Sequence, residues 1–182
     1  GANAIAMAMG LGADVTVLDA NEDVLRSLIG RFGPTLRCAA ASDKTIEEKV
    51  LGADLVIGAV LIPGAHAPRL ISAEMVKRMK HGAVLVDVSI DQGGCFETSH
   101  QTTHESPTFI TDQVVHYCVG NMPGAVPRTS TFALNNVILP YVLSLVEKGY
   151  RRALAEDPHF LAGLNVCTGR ITCPGVAESL GY

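Results

Sequence analysis

The fold of this 182-residue chain is decided by the stretch DVTVLD at residues 14–19. Residues 15–18 are all apolar or β-branched, which is typical of a buried strand in a parallel sheet. The run stops at Asp19, as such a strand does where it emerges at its carboxyl end. Asn21 follows and is a favourable helix N-cap, so the strand is predicted to lead directly into a helix.

The same alternation of strand and helix recurs along the chain. Three further strands are predicted at residues 54–60, 83–88 and 114–119, with a small edge strand at Phe109 and Ile110. Helical segments are predicted over residues 1–12 and 47–52 and from Ser72 onward. Strands that alternate with helices imply crossover connections and a parallel sheet, so the predicted architecture is doubly wound α/β.

The character of the sequence changes after Pro127. Residues 129–147 form one long apolar pattern that predicts a helix with a kink at Pro140, and no clear buried strand follows. We therefore predict the doubly wound α/β domain at 1–127 and a mainly helical segment at 128–182. The apolar positions of this helix must pack on another domain or on another subunit.

Composition narrows the classes of function. The chain is 48% hydrophobic and 18% charged, and its net charge of −4 is not concentrated in blocks, so neither nucleic acid nor a membrane surface is indicated as a partner. Its most apolar stretch, residues 137–146, falls short of the roughly 20 residues that cross a bilayer. The five cysteines are scattered, which favours reduced, buried thiols over disulfides or zinc.

Gly1 and Asp19 have the spacing of a dinucleotide-binding unit. Such a unit needs a glycine turn at the phosphates and, about 20 residues later, an acid that accepts hydrogen bonds from the adenosine ribose. With Gly1 as the last glycine of that turn, the chain begins inside the motif, and the first strand of a Rossmann-type sheet is missing. The alternative is that Asp19 has no role in binding and is simply an acidic residue favoured at the N-terminus of a helix. Ala20 offers no basic group for a 2′-phosphate, which favours NAD over NADP.

Two more stretches follow predicted strands at the edge where open α/β sheets bind ligands. They are GAVLIPG at residues 58–64 and VSIDQGG at residues 88–94. Small residues let the backbone approach a flat ring, although ordinary turns use glycine and proline equally well. Asp91 is harder to explain as turn chemistry, because an acid there can orient a base or stabilise positive charge near a nicotinamide.

These strand ends resemble the alanine dehydrogenase family. The resemblance is carried by VLD at 17–19, ADLVIGAV at 53–60, IDQGGC at 90–95, YCVGNMPGAVP at 117–127 and TST at 129–131. The motifs occur in order over nearly the whole chain, which makes them far more specific than a glycine fingerprint alone.

The resemblance implies an NAD-dependent, reversible oxidative deamination of L-alanine to pyruvate and ammonia by a cytoplasmic hexamer. Asp91 would be the catalytic aspartate. Cofactor contacts would come from the residues at the strand ends: Gly1, Asp19, Val60, Leu61, Val88, Ser89, Ile90, Asp91, Val119, Gly120, Asn121 and Met122. The family's substrate-binding arginine and lysine and its acid/base histidine belong to an N-terminal domain outside this sequence. Residues 1–127 would form the NAD-binding Rossmann domain, and the helical segment 128–182 would belong to the substrate domain. The chain alone is therefore expected to bind NAD weakly and to be inactive.

Two other classes of function remain open at this point. One is the soluble nucleotide-binding component of a proton-translocating transhydrogenase, and the other is a non-catalytic NAD-binding or assembly module. The six histidines suggest neither a metal site nor an acid/base pair, because none has ligand spacing on a predicted element. No metal is predicted.

Overall fold

A computed structural model describes residues 1–62 and 65–182 of the chain. It divides into two compact units, one formed by residues 1–61 and 67–120 and the other by residues 62–66 and 121–182. The boundary at residue 127 drawn from the sequence stays a prediction.

The first unit alternates strands and helices as the sequence indicated. Its helices are α1 (Ala2–Gly10), α2 (Glu22–Phe32), α3 (Asp43–Gly52) and α4 (Ala73–Lys77). Its strands are β1 (Thr16–Asp19), β2 (Arg37–Ala40), β3 (Leu55–Gly58), β4 (Val84–Asp87), β5 (Thr108–Thr111) and β6 (Val114–Tyr117). The mixed α/β class and the parallel sheet are confirmed.

Side-chain caps explain where three of the helices begin. The Asn21 side chain accepts a hydrogen bond from the Asp23 amide at 2.9 Å, which confirms the predicted cap. Ser42 and Thr45 form a reciprocal capping box at the start of α3, and Ser72 caps α4 through the Met75 amide. Asn21 and Ser42 come two residues after the ends of β1 and β2, so each of these caps also closes the turn from a strand into the next helix.

The strands of this unit form two sheets. β1 pairs in parallel with β2, and a second sheet has the order β3–β4–β6–β5, in which only β5 is antiparallel. Among the described strands, β1 and β3 are each paired on one side only. This confirms a Rossmann-type sheet without its first strand, because that strand would separate β1 from β3.

The hydrophobic core lies where α3 and α4 meet the sheets. Ile46 and Val50 of α3 pack with Val76 of α4 and Leu85 of β4, and Leu18 of β1 joins this cluster. Both sheets therefore contribute to one core. Exposed apolar side chains remain on β3, where Leu55 is 51% and Ile57 is 36% exposed.

The second unit is mainly helical. A short 3₁₀ turn at Met122–Ala125 precedes α5 (Pro127–Glu156), α6 (Pro158–Leu161), a hairpin of β7 (Val166–Cys167) and β8 (Arg170–Ile171), and α7 (Pro174–Leu180). The non-helical residue inside α5 is Gly149, with φ of 72° and ψ of 155°. The kink expected at Pro140 therefore lies at Gly149, where glycine tolerates a conformation that other residues resist.

Among the described residues, α5 is the helix that is long and apolar enough to cross a membrane, with a mean hydropathy of 1.3 over its most apolar window. Length and composition do not distinguish such a span from a helix that packs on another part of a protein. The prediction that the chain contains no membrane span stays a prediction.

The strand β2 was missed at the sequence level. It consists of Arg37, Cys38, Ala39 and Ala40, which carry little strand propensity. It forms because its backbone pairs with β1 from Thr16↔Arg37 to Asp19↔Ala40. Tertiary pairing, not local sequence, places this strand.

Candidate functional site

The carboxyl ends of β3 and β4 are joined by two hydrogen bonds. The Val88 amide donates to the Gly58 carbonyl at 2.8 Å, and the Ser89 hydroxyl donates to the Val60 carbonyl at 2.7 Å. Ser89 is buried, with only 6% of its surface exposed. The two loops that the sequence selected are therefore held side by side.

Asp91 lies in a 3₁₀ turn, Ile90–Gln92, directly after β4. Ile90 is buried and anchors the turn, whereas Asp91 is exposed. Gly93 and Gly94 then take positive φ values of 93° and 78°, which turn the backbone back toward Ser89. The Gly94 amide closes the loop by donating to the Ser89 carbonyl at 3.1 Å. Asp91 is thus held at the tip of a tightly closed loop.

The end of β6 meets the same loop. Val119 is fully buried, and the Gly120 amide donates to the Thr102 carbonyl at 3.2 Å. A Cβ atom placed on Gly120 would lie 1.9 Å from Nε2 of Gln101 and 3.2 Å from Oδ1 of Asp91. A side chain on Gly120 would therefore displace the Gln101 amide, which fills that position beside the Asp91 carboxylate.

Beneath this loop lies a buried carboxylate, Asp87, which the sequence analysis did not single out. It is the last residue of β4 and is 0% exposed. Its Oδ1 accepts from the Ser89 amide at 3.1 Å, and its Oδ2 accepts from the Cys95 amide at 2.9 Å and the Ser99 hydroxyl at 2.6 Å. An acid at the end of a hydrophobic strand was the available signal, but the same pattern gives a half-buried carboxylate at Asp19 and an exposed one at Asp91.

The thiol of Cys95 is part of this buried cluster. Its Sγ donates to Oδ1 of Asp87 at 3.4 Å. Burial and the nearby Asp87 carboxylate together raise the pKa of the Cys95 thiol from 9.0 to about 12, because a thiolate would lose its hydration and would face a second negative charge. Cys95 is therefore a neutral hydrogen-bond donor at ordinary pH.

Asp19 and Gly1 belong to the other sheet and its helices. Asp19 ends β1, is half-buried, and accepts a hydrogen bond from the Asn21 amide at 2.8 Å through Oδ1. Its Oδ2 has no hydrogen-bond donor among the described residues. Gly1 is the exposed N-cap of α1, and its carbonyl accepts from the Ile5 amide at 3.1 Å.

The structure brings one set of the predicted residues together. The contacts described above link four of them: Val60, Ser89, Asp91 and Gly120. Leu61 and Val88 lie next to these residues in the chain and are 66% and 47% exposed. No described strand pairing connects this set to Asp19. Asn121 and Met122 belong to the second unit. Pro63 and Gly64, part of the first glycine-containing stretch, lie outside the described residues.

The buried histidine of the first unit is held by ordinary structural contacts. His116 shares a 2.8 Å hydrogen bond with Thr98 through Nε2 and contacts the Val114 carbonyl through Nδ1 at 3.0 Å. Burial lowers its pKa below 6.5, and Phe109 stacks on its ring with centroids 4.7 Å apart. Within the described ranges, no group of three or more His, Cys, Asp or Glu side chains could hold a metal ion.

Parallel strands whose carboxyl ends carry glycines and acids are typical of a dinucleotide-binding domain of the Rossmann type. The profile of the family "Alanine dehydrogenase/PNT, C-terminal domain" matches residues 1–174. The chain belongs to this family, whose members are pyridine nucleotide-binding domains.

Individual relatives agree with the family. The chain is 56% identical over 181 residues to an alanine dehydrogenase of Halomonas elongata, covering 100% of this chain and 49% of the relative. It is 54% identical to alanine dehydrogenase 2 of Staphylococcus aureus, covering 98% of this chain and 48% of the relative. The chain thus spans about half the length of the curated relatives it matches.

Two solved structures are also similar. An L-alanine dehydrogenase superposes with a TM-score of 0.84 at 47% identity, over 98% of this chain and 49% of that one. A transhydrogenase from Sinorhizobium meliloti superposes with a TM-score of 0.65 at 23% identity, over 96% of this chain and 46% of that one. The second similarity shows the shared fold alone.

Proposed function

We propose that this chain is the NAD-binding half of an alanine dehydrogenase. The complete protein would convert L-alanine reversibly to pyruvate and ammonia, with NAD accepting the hydride. The observation that carries this proposal is the meeting of Asp91 with Gly120 at the carboxyl edge of a parallel sheet, in a chain 56% identical to an alanine dehydrogenase. Substrate binding and acid/base residues would come from the half of the relatives that this chain does not match.

Several features of the chain fit a dinucleotide. Oδ2 of Asp19 is available to a ribose hydroxyl, since only Oδ1 has a donor among the described residues. Gly120 has no side chain that would separate Asp91 from a bound ring. Gln92 also carries a buried acceptor, Oε1, that has no hydrogen-bond partner in the described part of the chain and suits a ligand amide. We propose that the cofactor site of the first unit is also lined by Gly1, Leu61, Val88, Ile90 and Val119. The resemblance to the family further implies cofactor contacts from Asn121 and Met122.

The charges around Asp19 favour NAD over NADP. Ala20 is uncharged, and the guanidinium of Arg26 is already paired with Asp23 at 2.5 Å. A 2′-phosphate would therefore face the Asp19 carboxylate without a free cation of this turn. Asp19→Asn removes that repulsion and is expected to reduce the preference for NAD, measured as the ratio of kcat/KM values for the two cofactors.

Asp91 is the proposed catalytic residue of this half. Its exposed carboxylate can hold or move a proton of the substrate amine or of the attacking water. Its fixed position on a closed loop supports this role, because proton transfer requires a donor and acceptor within hydrogen-bond reach.

The test is alanine-dependent formation of NADH by the complete protein. We expect turnover with the wild type and a loss of roughly a hundred-fold or more in kcat for Asp91→Asn, the range of a missing acid/base group. Asp54→Asn is the matched control, because Asp54 is an exposed acid paired with Lys80. Hydride transfer from NADPH to NAD that requires a separate membrane partner and no alanine would favour a transhydrogenase component. NAD binding without turnover would favour a non-catalytic module.

We further propose that the complete protein is a cytoplasmic homo-hexamer without a membrane partner. The resemblance to alanine dehydrogenases supports the hexamer, and exposed apolar residues of α5 such as Phe132 and Val137 offer a surface for packing. Light scattering of the purified complete protein should give a mass six times that of its single chain. Recovery in the membrane fraction would contradict this proposal.

A further inference from the structure

Asp87 is a buried acid that the proposed chemistry does not use. Its side chain is 0% exposed, and within the described ranges no lysine or arginine forms an ion pair with it. Burying an unpaired carboxylate is costly unless hydrogen bonds replace the lost water. A carboxylate at such a position needs hydrogen-bond donors from the protein, and Asp87 accepts hydrogen bonds from four of them.

The donors come from both ends of the loop that carries Asp91. The Ser89 amide lies before the 3₁₀ turn, and the Cys95 amide lies after Gly93 and Gly94; both donate to Asp87. The Cys95 thiol adds a third bond. One carboxylate therefore closes the loop of residues 89–95 from below, and Asp91 is at its exposed tip.

The fourth donor connects a second segment to the same carboxylate. The Ser99 hydroxyl donates to Oδ2 of Asp87 at 2.6 Å, and Gln101 lies two residues further along. The amide of Gln101 and the carboxylate of Asp91 then meet at Gly120. Asp87 thus holds both segments whose side chains converge there.

The close packing around Asp87 leaves this arrangement little freedom. A Cβ atom on Gly94 would lie 2.9 Å from Oδ2 of Asp87, so the loop passes the carboxylate at the distance that only glycine permits. Gly94 also has φ of 78°, which other residues rarely adopt.

From these contacts we propose that Asp87 is a positioning residue that sets the placement of Asp91 against Gln101 and Gly120. Asp87 does not touch the reacting atoms; it acts through Asp91. The inference rests on the proposed function for its kinetic readout, but the placement itself can be measured without turnover.

The informative variant is Asp87→Asn in the complete protein. An asparagine has nearly the same shape as aspartate, but its NH₂ group is a hydrogen-bond donor. It would face amide or hydroxyl donors that bind a carboxylate oxygen in the wild type, so these donors would lose their acceptor. We expect amide hydrogen exchange to become faster at Ser89, Cys95 and their loop, while the core of α3 and β4 keeps its protection. Unchanged exchange in the loop would overturn the proposal, whether or not the protein turns over alanine.

Kinetics then distinguish positioning from a general loss of stability. We expect kcat to fall roughly ten- to hundred-fold, the effect of displacing a catalytic group by a fraction of an ångström to an ångström, with little change in the KM for NAD. In the Asp91→Asn background the same substitution should have almost no further effect on kcat, because its target is absent. Additive losses would show that Asp87 does not act through Asp91 and would overturn the proposal.

Two further variants complete the design. Ser99→Ala removes one of the four donors and should lower kcat by less than Asp87→Asn does. Ser99→Thr retains a hydroxyl and should have a kcat close to that of the wild type. Asp54→Asn makes the same chemical change at an exposed acid of the same unit and should change neither loop exchange nor kcat. A wild type that forms no NADH from alanine contradicts the proposed function, and the exchange experiment still decides the placement of the loop.

Discussion

At the scale of the residue, the candidate site depends on groups whose neighbours determine their chemistry. Three aspartates follow or end strands, and the structure gives each a different environment: Asp19 is half-buried, Asp87 is buried and Asp91 is exposed. The same type of side chain can therefore suit ligand binding, support of a loop or proton transfer, depending on its environment. Contacts beyond the local sequence make the difference.

The buried thiol of Cys95 leads to a prediction about pH. Its pKa is raised from 9.0 to about 12, so between these values the unfolded chain loses a proton that the folded protein keeps. The stability contributed by the neutral thiol is complete below pH 9 and is lost as the pH rises toward 12. We expect the free energy of unfolding to fall by up to about 1.4 kcal/mol per pH unit in this range.

Denaturant unfolding of the complete protein between pH 8 and 12 measures this effect. Cys95→Ser is the matched control, because a hydroxyl can still donate to Asp87 but does not titrate in this range. Identical pH profiles for the wild type and this variant would contradict the prediction.

Gly58 at the end of β3 leads to a prediction about packing. A Cβ atom there would lie 2.2 Å from Sγ of Cys95 and 2.7 Å from Cζ of Phe96, both of which are buried. Gly58→Ala should therefore destabilise the protein by about 1–3 kcal/mol, the usual cost of overpacking. Gly52→Ala is the control, because nothing lies within 4 Å of its Cβ position. Thermal melts of both variants check the difference, and equal melting temperatures would contradict it.

At the scale of the element, short strands and helices depend on their ends. The capping box of α3 joins the Thr45 amide to Ser42 Oγ at 3.2 Å and the Ser42 amide to Thr45 Oγ1 at 2.8 Å. This helix supplies Ile46 and Val50 to the core, so fraying at its start would loosen the packing against α4.

Ser42→Ala is expected to lower the free energy of unfolding by about 1 kcal/mol, the typical value for a lost N-cap. Ser27→Ala is the comparison, since Ser27 is an exposed residue inside α2 and its replacement should change stability by less than about 0.5 kcal/mol. Chemical unfolding of the two variants measures both values. A loss at Ser27 equal to that at Ser42 would show that the cap does not contribute.

At the scale of the whole molecule, the sheet is interrupted between β1 and β3. Each of these strands has backbone donors and acceptors without a described strand partner on one side, and β3 exposes Leu55 and Ile57. An edge of this kind both weakens the fold and favours association with other chains.

We therefore expect the 182-residue chain alone to show no cooperative thermal transition, and the complete protein to show one. Circular dichroism during heating measures the cooperativity, and light scattering detects association through the open edges. A sharp melt of the isolated chain with a native-like spectrum would contradict this prediction.

Much of the fold could be predicted from the sequence because its signals are local. The apolar run before Asp19, the cap at Asn21 and the alternation of strands and helices are properties of neighbouring residues, and the structure confirms each of them. The motifs at the strand ends likewise predicted the family, because each motif is a short continuous stretch of sequence.

Only the tertiary structure decided what depends on residues far apart in the chain. The strand β2 exists through pairing with β1, the break in α5 lies at Gly149 instead of Pro140, and Asp87 gains its role from donors up to 12 residues away. Local sequence determines backbone preference and polarity, whereas burial and hydrogen-bond partners arise only when distant segments meet. For that reason the sequence could name Asp91 but could not show that Asp87 lies beneath it.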